Sequence, residues 1–197
     1  MKILIGTHNK NKFGQFKKIF EGLDKSIELL SLDDLSIRED VEESSDVLLE
    51  NAKKKAKYYG EKSGLLTVSD DLGLFIDALG GDPGVEAKRW LSGTDRDRYM
   101  KILEKLKDVP AEKRTCRYKA VLAAYIPEKK DFWIYEQNLE GQIADGPKEG
   151  SGFGYDPIVV IGGKYYSQFT DKERFKVGHR GLGAKELLKY LFGGADK

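Results

Sequence analysis

Two adjacent carboxylates, Asp70 and Asp71, are the residues of this sequence best suited to acid–base or metal chemistry. They follow an apolar run at residues 65–68 and precede Gly73. Apolar runs bounded by glycine are typical of buried strands, so we expect the two acids at the end of such a strand. Neighbouring strand residues point to opposite faces, so the two carboxylates need not share one role. The alternative is that both only form a turn, for which aspartate is favoured.

Composition limits the class of protein. The chain has 197 residues, enough for one domain with a sizeable core, and 34 Lys and Arg against 33 Asp and Glu leave a net charge of +1. That balance argues against a protein that coats nucleic acid or an anionic membrane. One cysteine, Cys116, permits no internal disulfide, and two histidines are too few for a histidine-rich zinc site. A metal ion would therefore be a hard cation held by carboxylates.

The apolar segments also bear on location. The N-terminal apolar run is too short for a signal peptide. No stretch approaches the roughly eighteen apolar residues that a membrane helix needs. We therefore expect a soluble, cytoplasmic protein.

The N-terminus predicts a strand that leads directly into a helix. β-prone residues 2–7 run into the polar loop Thr7-His8-Asn9-Lys10-Asn11-Lys12. Apolar residues at helical spacing then follow: Phe13, Phe16, Ile19, Phe20 and Leu23. A helix N-terminus is a natural phosphate site, to which Lys10 and Lys12 add positive charge. The alternative is that Thr and Asn cap the helix and the lysines are solvated. The P-loop pattern GxxxxGK[ST] is absent.

Hydrophobic periodicity and turn residues predict the remaining elements. They are a strand at 27–32, a helix at about 46–62 stopped by Gly64, a helix at 96–107 capped by Thr94 or Asp95, a hairpin of strands 117–126 and 132–143, a strand at 158–161, and a helix at about 182–191. Four lysines of the second helix are expected to be mostly solvated: Lys53, Lys54, Lys55 and Lys57. His179 and Arg180 lie at the start of the last helix, where a cation opposes the helix dipole, so capping explains Arg180 poorly.

A second informative stretch is Gly150-Ser151-Gly152-Phe153-Gly154-Tyr155-Asp156-Pro157. Its glycines allow close approach of the backbone to a ligand, and Phe153 offers a flat, rigid face. The alternative is that Phe153 only anchors the loop.

Five stretches, in this order, resemble the inosine triphosphate pyrophosphatase family over nearly the whole chain. They are the opening Thr7-His8-Asn9-Lys10-Asn11-Lys12, Glu43 with Glu50-Asn51-Ala52, Ser69-Asp70-Asp71-Leu72-Gly73-Leu74 continuing to Ala78-Leu79-Gly80-Gly81-Asp82-Pro83-Gly84, the loop Gly152-Phe153-Gly154-Tyr155-Asp156-Pro157, and His179-Arg180-Gly181. Three positions depart from the family pattern. Leu72 replaces a common Ser, Arg174 stands where a substrate lysine is usual, and Gly178 replaces the common Ser before His-Arg.

The resemblance implies an elongated α/β fold. A single domain over residues 1–197 would have two lobes, a long, mixed, twisted sheet flanked by helices, and a central cleft. It also implies a homodimer that uses Mg²⁺ to cleave non-standard purine nucleoside triphosphates (ITP, dITP and XTP) to the monophosphate and pyrophosphate. Such an enzyme cleanses the nucleotide pool, binds no nucleic acid stably and needs no membrane.

The same resemblance assigns site residues. Asp71 is the candidate base, with Asp70 as the alternative, and Glu43 and Asp71 are the candidate Mg²⁺ ligands, with Glu42, Glu50 and Asp70 in reserve. The substrate-binding candidates are Thr7, His8, Asn9, Lys10, Asn11, Lys12, Leu72, Phe153, Gly154, Tyr155, Asp156, Arg174, His179 and Arg180. Within that set, Lys12 and the amides of residues 7–12 hold the triphosphate. Arg174, or else Lys172 or Lys176, neutralises charge on the leaving pyrophosphate. Phe153 stacks on the purine, while His179 and Arg180 point donors at the base edge.

Two other functions compete with this one. A nucleic-acid-binding module could use Lys10, Lys12, Phe153 and Arg180 on phosphates and stacked bases, although the near-neutral charge speaks against it. A related pyrophosphatase acting on modified pyrimidine nucleotides would share much of the chemistry. A GTP-dependent switch is disfavoured by the missing P-loop.

Overall fold

A computed structural model describes residues 1–87 and 89–193, which form eight strands and five α-helices. The strands are β1 (Lys2–Ile5), β2 (Glu28–Ser31), β3 (Thr67–Ile76), β4 (Pro83–Gly84), β5 (Thr115–Ile126), β6 (Asp131–Ile143), β7 (Val159–Ile161) and β8 (Lys164–Tyr165). The α-helices are α1 (Lys10–Leu23), α2 (Leu48–Ser63), α3 (Asp95–Leu106), α4 (Asp171–Val177) and α5 (His179–Phe192). Short 3-10 turns occupy Asp77–Leu79, Ala111–Lys113, Asp156–Ile158 and Tyr166–Gln168.

The strands form one mixed sheet in the order β2-β1-β3-β5-β6-β7-β8, with β4 paired to β3. Parallel pairing joins β1 to β2 and to β3, whereas β4, β7 and β8 pair in the antiparallel direction. Strands β5 and β6 are neighbours joined by only residues 127–130, a connection short enough to require the predicted hairpin. The predicted α/β class with a mixed sheet and flanking helices is confirmed.

The chain divides into two compact units. Unit 1 comprises residues 1–71, 121–136 and 175–197, and unit 2 comprises residues 72–120 and 137–174. In unit 1, α1 and α5 pack through Phe16, Phe20 and Leu187 onto strand residues such as Ile3 and Val68. A second cluster of unit 1 joins Leu4 to Tyr59 of α2, together with Leu32, Ile37 and Val41.

Several predicted helix boundaries are confirmed by their caps. Asn9 caps α1 through its side chain, and Thr94 forms a reciprocal capping box with Asp97 at the start of α3. Gly64 ends α2 in the left-handed conformation, with φ 69°. Helix α5 begins at His179, three residues before the predicted start. Helix α4 was not predicted from the sequence, because seven residues are too few to show a helical repeat of apolar positions.

The predicted end of the strand at Asp70 and Asp71 is wrong. Strand β3 continues to Ile76, so both acids lie inside it. Gly73 lies inside β3 and does not mark a turn. A Cβ at this position would lie 2.6 Å from the carbonyl oxygen of Gly84 in β4. The glycine therefore permits close approach of the neighbouring strand.

Among the residues that the structure describes, no helix combines the length and apolar character needed to cross a membrane.

Candidate active site

The N-terminal turn has the capping geometry that the sequence allows. The Asn9 Oδ1 atom accepts hydrogen bonds from the backbone N–H groups of Asn11 at 2.9 Å and Lys12 at 3.2 Å. The Thr7 hydroxyl oxygen accepts one from the Asn9 N–H at 3.2 Å. The capping interpretation is therefore confirmed, while phosphate binding at this turn stays a prediction. The other members of the turn are exposed: His8, Lys10 and Asn11.

Asp70 is a buried carboxylate that faces nitrogen groups from both ends of the chain. Its Oδ2 accepts a hydrogen bond from Arg180 Nη2 at 2.5 Å and lies 3.3 Å from His179 Nε2. Its Oδ1 lies 3.3 Å from Lys12 Nζ, and only 1% of the side chain is exposed. Burial alone would raise the pKa of Asp70, but Arg180 and Lys12 outweigh it and hold this pKa well below its usual range. Asp70 therefore stays ionised as a shared counter-ion.

His179 and Arg180 reach Asp70 because they form the first turn of α5. Arg180 Nη1 also donates to Gln15 Oε1 at 2.7 Å, which ties α5 to α1. Burial, followed by the charge of Arg180, lowers the pKa of His179 to about 4. His179 is therefore neutral at neutral pH, and its ring is oriented by the Asp70 carboxylate.

Asp71 has a different environment. Asn51 Nδ2 of α2 donates to Asp71 Oδ2 at 3.1 Å, and Lys55 Nζ lies 3.5 Å from Asp71 Oδ1. Glu43 is a neighbour of Asp71, since Lys55 Nζ contacts both carboxylates, at 2.9 Å and 3.5 Å. Burial raises the pKa of Asp71 to about 6; Glu43 adds to the rise and Lys55 opposes it. A carboxylate with a pKa near neutrality is suited to accept a proton at physiological pH.

The expectation that Lys55 is mostly solvated is wrong. Lys55 is buried instead, and its ammonium contacts Glu43 Oε2 at 2.9 Å and the Asp70 carbonyl oxygen at 2.8 Å. Burial alone would lower the pKa of Lys55, but Asp71 and Glu43 outweigh it and raise this pKa. Lys55 thus remains charged and is shared by the two carboxylates that face it.

The two acids differ because they lie on opposite faces of β3. Val68 lies on the face of the strand that α1 and α5 cover, and Asp70, two residues later, lies on the same face. Asp71 points to the face that α2 covers, where Asn51 and Lys55 lie one helical turn apart. The period of two thus places one acid among Lys12, His179 and Arg180 and the other beside Glu43 and Lys55.

The residues around Asp71 fit a hard divalent cation. Mg²⁺ is usually held by one or two carboxylates together with substrate phosphates, and Glu43 and Asp71 supply such a pair. The Lys55 ammonium, which contacts both acids, shows that a positive charge is accommodated between them. Within residues 1–87 and 89–193, no three His, Cys, Asp or Glu side chains could hold a metal as a group. Substrate oxygens would therefore have to complete such a site.

The remaining members of the substrate-binding set belong to unit 2. The Phe153 N–H and the Arg174 guanidinium both donate to Asp156 Oδ2, at 3.3 Å and 2.9 Å. The Tyr155 hydroxyl donates to the Ala87 carbonyl oxygen at 2.5 Å. The loop is thus built around a buried ion pair, and two other residues of the predicted set accompany it: Gly154 in the loop and the half-buried Leu72 in β3.

Sequence reasoning missed Asn51 and Lys55 as members of the site. Helical spacing would have indicated both, because Leu48, Asn51, Ala52, Lys55, Ala56 and Tyr59 form one buried stripe of α2. A polar residue on an otherwise apolar stripe is buried with it and requires a partner. Gln15 and Tyr118 carried no comparable signal, since their partners Arg180 and Asp156 are 165 and 38 residues away.

Known proteins resemble this chain over nearly its whole length. Residues 3–190 match the Ham1 family. A dITP/XTP pyrophosphatase of Thermoanaerobacter sp. strain X514 is 39% identical over 195 residues, covering 97% of this chain and 96% of that protein. A dITP/XTP pyrophosphatase of Bacillus subtilis strain 168 is 36% identical over 193 residues, covering 95% and 96%. The solved structure of a HAM1 protein from Coxiella burnetii has a TM-score of 0.84 at 29% identity and covers 98% of this chain and 100% of that one.

Proposed function

Because this chain belongs to the Ham1 family, we propose that it hydrolyses non-standard purine nucleoside triphosphates to the monophosphate and pyrophosphate. Membership confirms the resemblance that the motifs indicated. Relatives that match nearly the full length are dITP/XTP pyrophosphatases, which supports ITP, dITP and XTP as the substrates. Such an activity removes nucleotides with non-standard bases from the pool before they are used.

One observation carries the proposal beyond similarity. The two adjacent acids have different partners: Asp70 pairs with Arg180 at 2.5 Å and with Lys12 at 3.3 Å, whereas Asp71 shares the Lys55 ammonium with Glu43 and burial raises its pKa. Divergent pKa values of neighbouring carboxyl groups are typical of acid–base sites. We therefore assign the base to Asp71 and a counter-ion role to Asp70.

The reaction then uses the chain's own residues as follows. Asp71 accepts a proton from the water whose oxygen attacks the α-phosphorus. The bond between the α-phosphorus and the bridging oxygen to the β-phosphorus breaks, and pyrophosphate leaves with that oxygen. Lys12 and the N-terminus of α1 hold the triphosphate. Asp70 keeps Lys12 in position by an ion pair of 3.3 Å.

Glu43 and Asp71 would hold Mg²⁺, the ion that this proposal names. When bound, Mg²⁺ neutralises phosphate charge and makes water more acidic. Lys55, which contacts both carboxylates at 2.9 Å and 3.5 Å, would then share them with the metal or turn to a substrate oxygen.

We also propose that residues 1–197 act as one catalytic domain in a cytoplasmic homodimer, as the resemblance implies. The Ham1 match across residues 3–190 supports a single domain. Light scattering after gel filtration tests the homodimer, for which a mass of twice 22.2 kDa is expected.

Turnover of a nucleotide panel tests the proposed function. With Mg²⁺ present, ITP, dITP and XTP should be hydrolysed far faster than ATP, GTP, dUTP or modified pyrimidine nucleotides, with pyrophosphate as the released product. In ¹⁸O water the label should enter the monophosphate. Release of orthophosphate and a nucleoside diphosphate, or a preference for modified pyrimidine nucleotides, would contradict the proposal.

A further inference from the structure

Arg174 is buried, and its contacts lie inside the protein. Its Nη1 donates to Asp156 Oδ2 at 2.9 Å, and its Nη2 donates to the Tyr166 carbonyl oxygen at 2.5 Å. The guanidinium carbon lies 4.4 Å from the centre of the Tyr166 ring. Both terminal nitrogens and the flat face of the group are thus engaged by unit 2 itself. A phosphate ligand would have to compete with these contacts.

Asp156, the partner of Arg174, holds the loop that carries Phe153. Its Oδ2 also accepts the backbone N–H of Phe153 at 3.3 Å, and its Oδ1 accepts the hydroxyl of Tyr118 at 3.0 Å. Three donors therefore converge on one buried carboxylate, and one of them is the backbone of the aromatic residue. The position of Phe153 is set by the position of this carboxylate.

The loop backbone closes tightly over this ion pair. A Cβ at Gly152 would lie 2.5 Å from Asp156 Oδ2 and 2.9 Å from Arg174 Nη2. Gly154 adopts φ +65°, and its N–H donates to Asp95 Oδ2 at 2.9 Å. Glycines on both sides of Phe153 thus let the backbone fit against the ion pair on one side and turn on the other.

We propose that Arg174 is a positioning residue, which holds Phe153 as a base-stacking platform through the Asp156 carboxylate. The inference rests on the proposed function, since it takes Phe153 to stack on the purine of the substrate. It assigns Arg174 to base binding instead of the neutralisation of pyrophosphate that its sequence position suggested.

The geometry also explains why arginine stands at this position. A guanidinium presents donors in a fixed fork and stacks on an aromatic face, so it can bridge Asp156, the Tyr166 carbonyl and the Tyr166 ring together. A lysine ammonium keeps the charge but offers neither the fork nor the flat face. Arg174→Lys should therefore restore only part of the function that Arg174→Met removes.

Product inhibition of ITP hydrolysis separates the two roles, because IMP carries the base and pyrophosphate does not. For Arg174→Met we expect the inhibition constant of IMP to rise about tenfold, the size of a lost base-stacking contact. The constant for pyrophosphate should stay within about twofold, and KM for ITP should rise more than kcat falls. Lys164→Met is the matched control, since it removes a partly exposed cation of unit 2 that pairs with Glu173 at the surface.

A double variant provides a readout that general loss of structure would not produce. If Arg174 acts through Phe153, then Phe153→Ala with Arg174→Met should bind IMP no more weakly than Phe153→Ala alone. Should Arg174→Met fail to fold, Tyr118→Phe removes only one hydroxyl from Asp156. Like Arg174→Met, it is expected to raise the inhibition constant of IMP, here by about two- to tenfold, the range for one lost hydrogen bond.

The possible results separate failure of this inference from failure of the proposed function. A tenfold rise in the inhibition constant of pyrophosphate, with that of IMP unchanged, would overturn the positioning role and leave the enzyme assignment intact. Additive effects on IMP binding in the double variant would do the same. An unmodified protein that does not hydrolyse ITP would instead overturn the proposed function on which the inference rests. A Phe153→Ala variant that binds IMP normally would overturn the platform role of Phe153 and leave the enzyme assignment intact.

Discussion

Replacing each acid of the Asp70–Asp71 pair by asparagine separates a counter-ion from a base. Asp70→Asn keeps the side-chain shape but removes the charge that Arg180 and Lys12 contact at 2.5 Å and 3.3 Å. Asp71→Asn removes a carboxylate whose charged form burial already disfavours. Lys55 would still have Glu43 as an ion-pair partner at 2.9 Å. Asp70→Asn should therefore lower stability strongly, whereas Asp71→Asn should lower activity with little loss of stability.

The magnitudes follow from burial. The Asp70 side chain is 1% exposed and that of Arg180 8%, so solvent hardly screens the pair. Removing one partner of a buried ion pair costs about 3–5 kcal/mol, which for a protein of this size lowers Tm by roughly 6–20 °C. For Asp71→Asn we expect a Tm change of only about 4 °C or less, the effect of ~1 kcal/mol, but a fall in kcat of at least ~10²-fold.

Thermal unfolding in a chelating buffer and ITP turnover with Mg²⁺ measure the two effects. Asp33→Asn is the matched control, because it breaks an ion pair with Arg38 whose side chains are 59% and 73% exposed. Exposed pairs contribute about 0–1 kcal/mol, so its Tm should fall by no more than about 4 °C. If Asp70→Asn lowers Tm no more than this control, Asp70 is not the counter-ion we describe. Near-normal turnover in Asp71→Asn would refute its role as the base.

Three further results are expected. Arg180→Ala should lower kcat/KM for ITP much more than for ATP, because we expect Arg180 to donate a hydrogen bond to the C6 oxygen of hypoxanthine, where adenine carries an amino group. Equal losses in a side-by-side assay would make Arg180 a phosphate or structural residue. In chelator, Lys55→Met should lower Tm, and Mg²⁺ should then raise Tm more than in the unmodified protein, because Glu43 and Asp71 lose their ammonium partner; equal shifts in differential scanning fluorimetry would show that Lys55 and the metal do not compete. Burial raises the pKa of Cys116 to about 12, so a thiol reagent at pH 8 should label it only after denaturation, and full labelling of the folded protein would contradict its burial.

Local chemistry explains which elements could be predicted. Asn9, Thr94 and Gly64 act on backbone groups within three or four residues, so their capping roles follow from residue type and spacing. The hairpin of β5 and β6 was likewise predictable, because alternation and a short connection leave little choice of pairing. Helix α2 begins at Leu48 instead of Asp46, since Asn51 Oδ1 accepts the Ser45 N–H and keeps the preceding residues outside the helix.

Long-range partners explain which parts of the site could not be predicted from the sequence. Residue type alone predicts a solvated Lys55, as long cationic side chains are usually exposed, and the family resemblance implies that Arg174 binds the leaving pyrophosphate. Each is instead buried because a carboxylate distant in sequence compensates its charge: Asp71 is 16 residues from Lys55, and Asp156 is 18 from Arg174. Neither pairing leaves a local trace in the sequence, although the stripe of α2 shows that position 55 faces inward.

The division between Asp70 and Asp71 combines both kinds of information. That the two acids point apart is a consequence of strand geometry and was predictable from adjacency alone. Which acid is suited to the proposed role of base depends on the helices that cover each face, since α1 and α5 bring Lys12 and Arg180 to one face and α2 brings Lys55 to the other. Two strong cationic contacts hold Asp70 ionised, whereas the single lysine beside Asp71 is shared with Glu43 and does not offset burial. The order of the acids in β3 is therefore not interchangeable, because a shift of one residue would move the proposed base to the face where Arg180 and Lys12 compensate its charge.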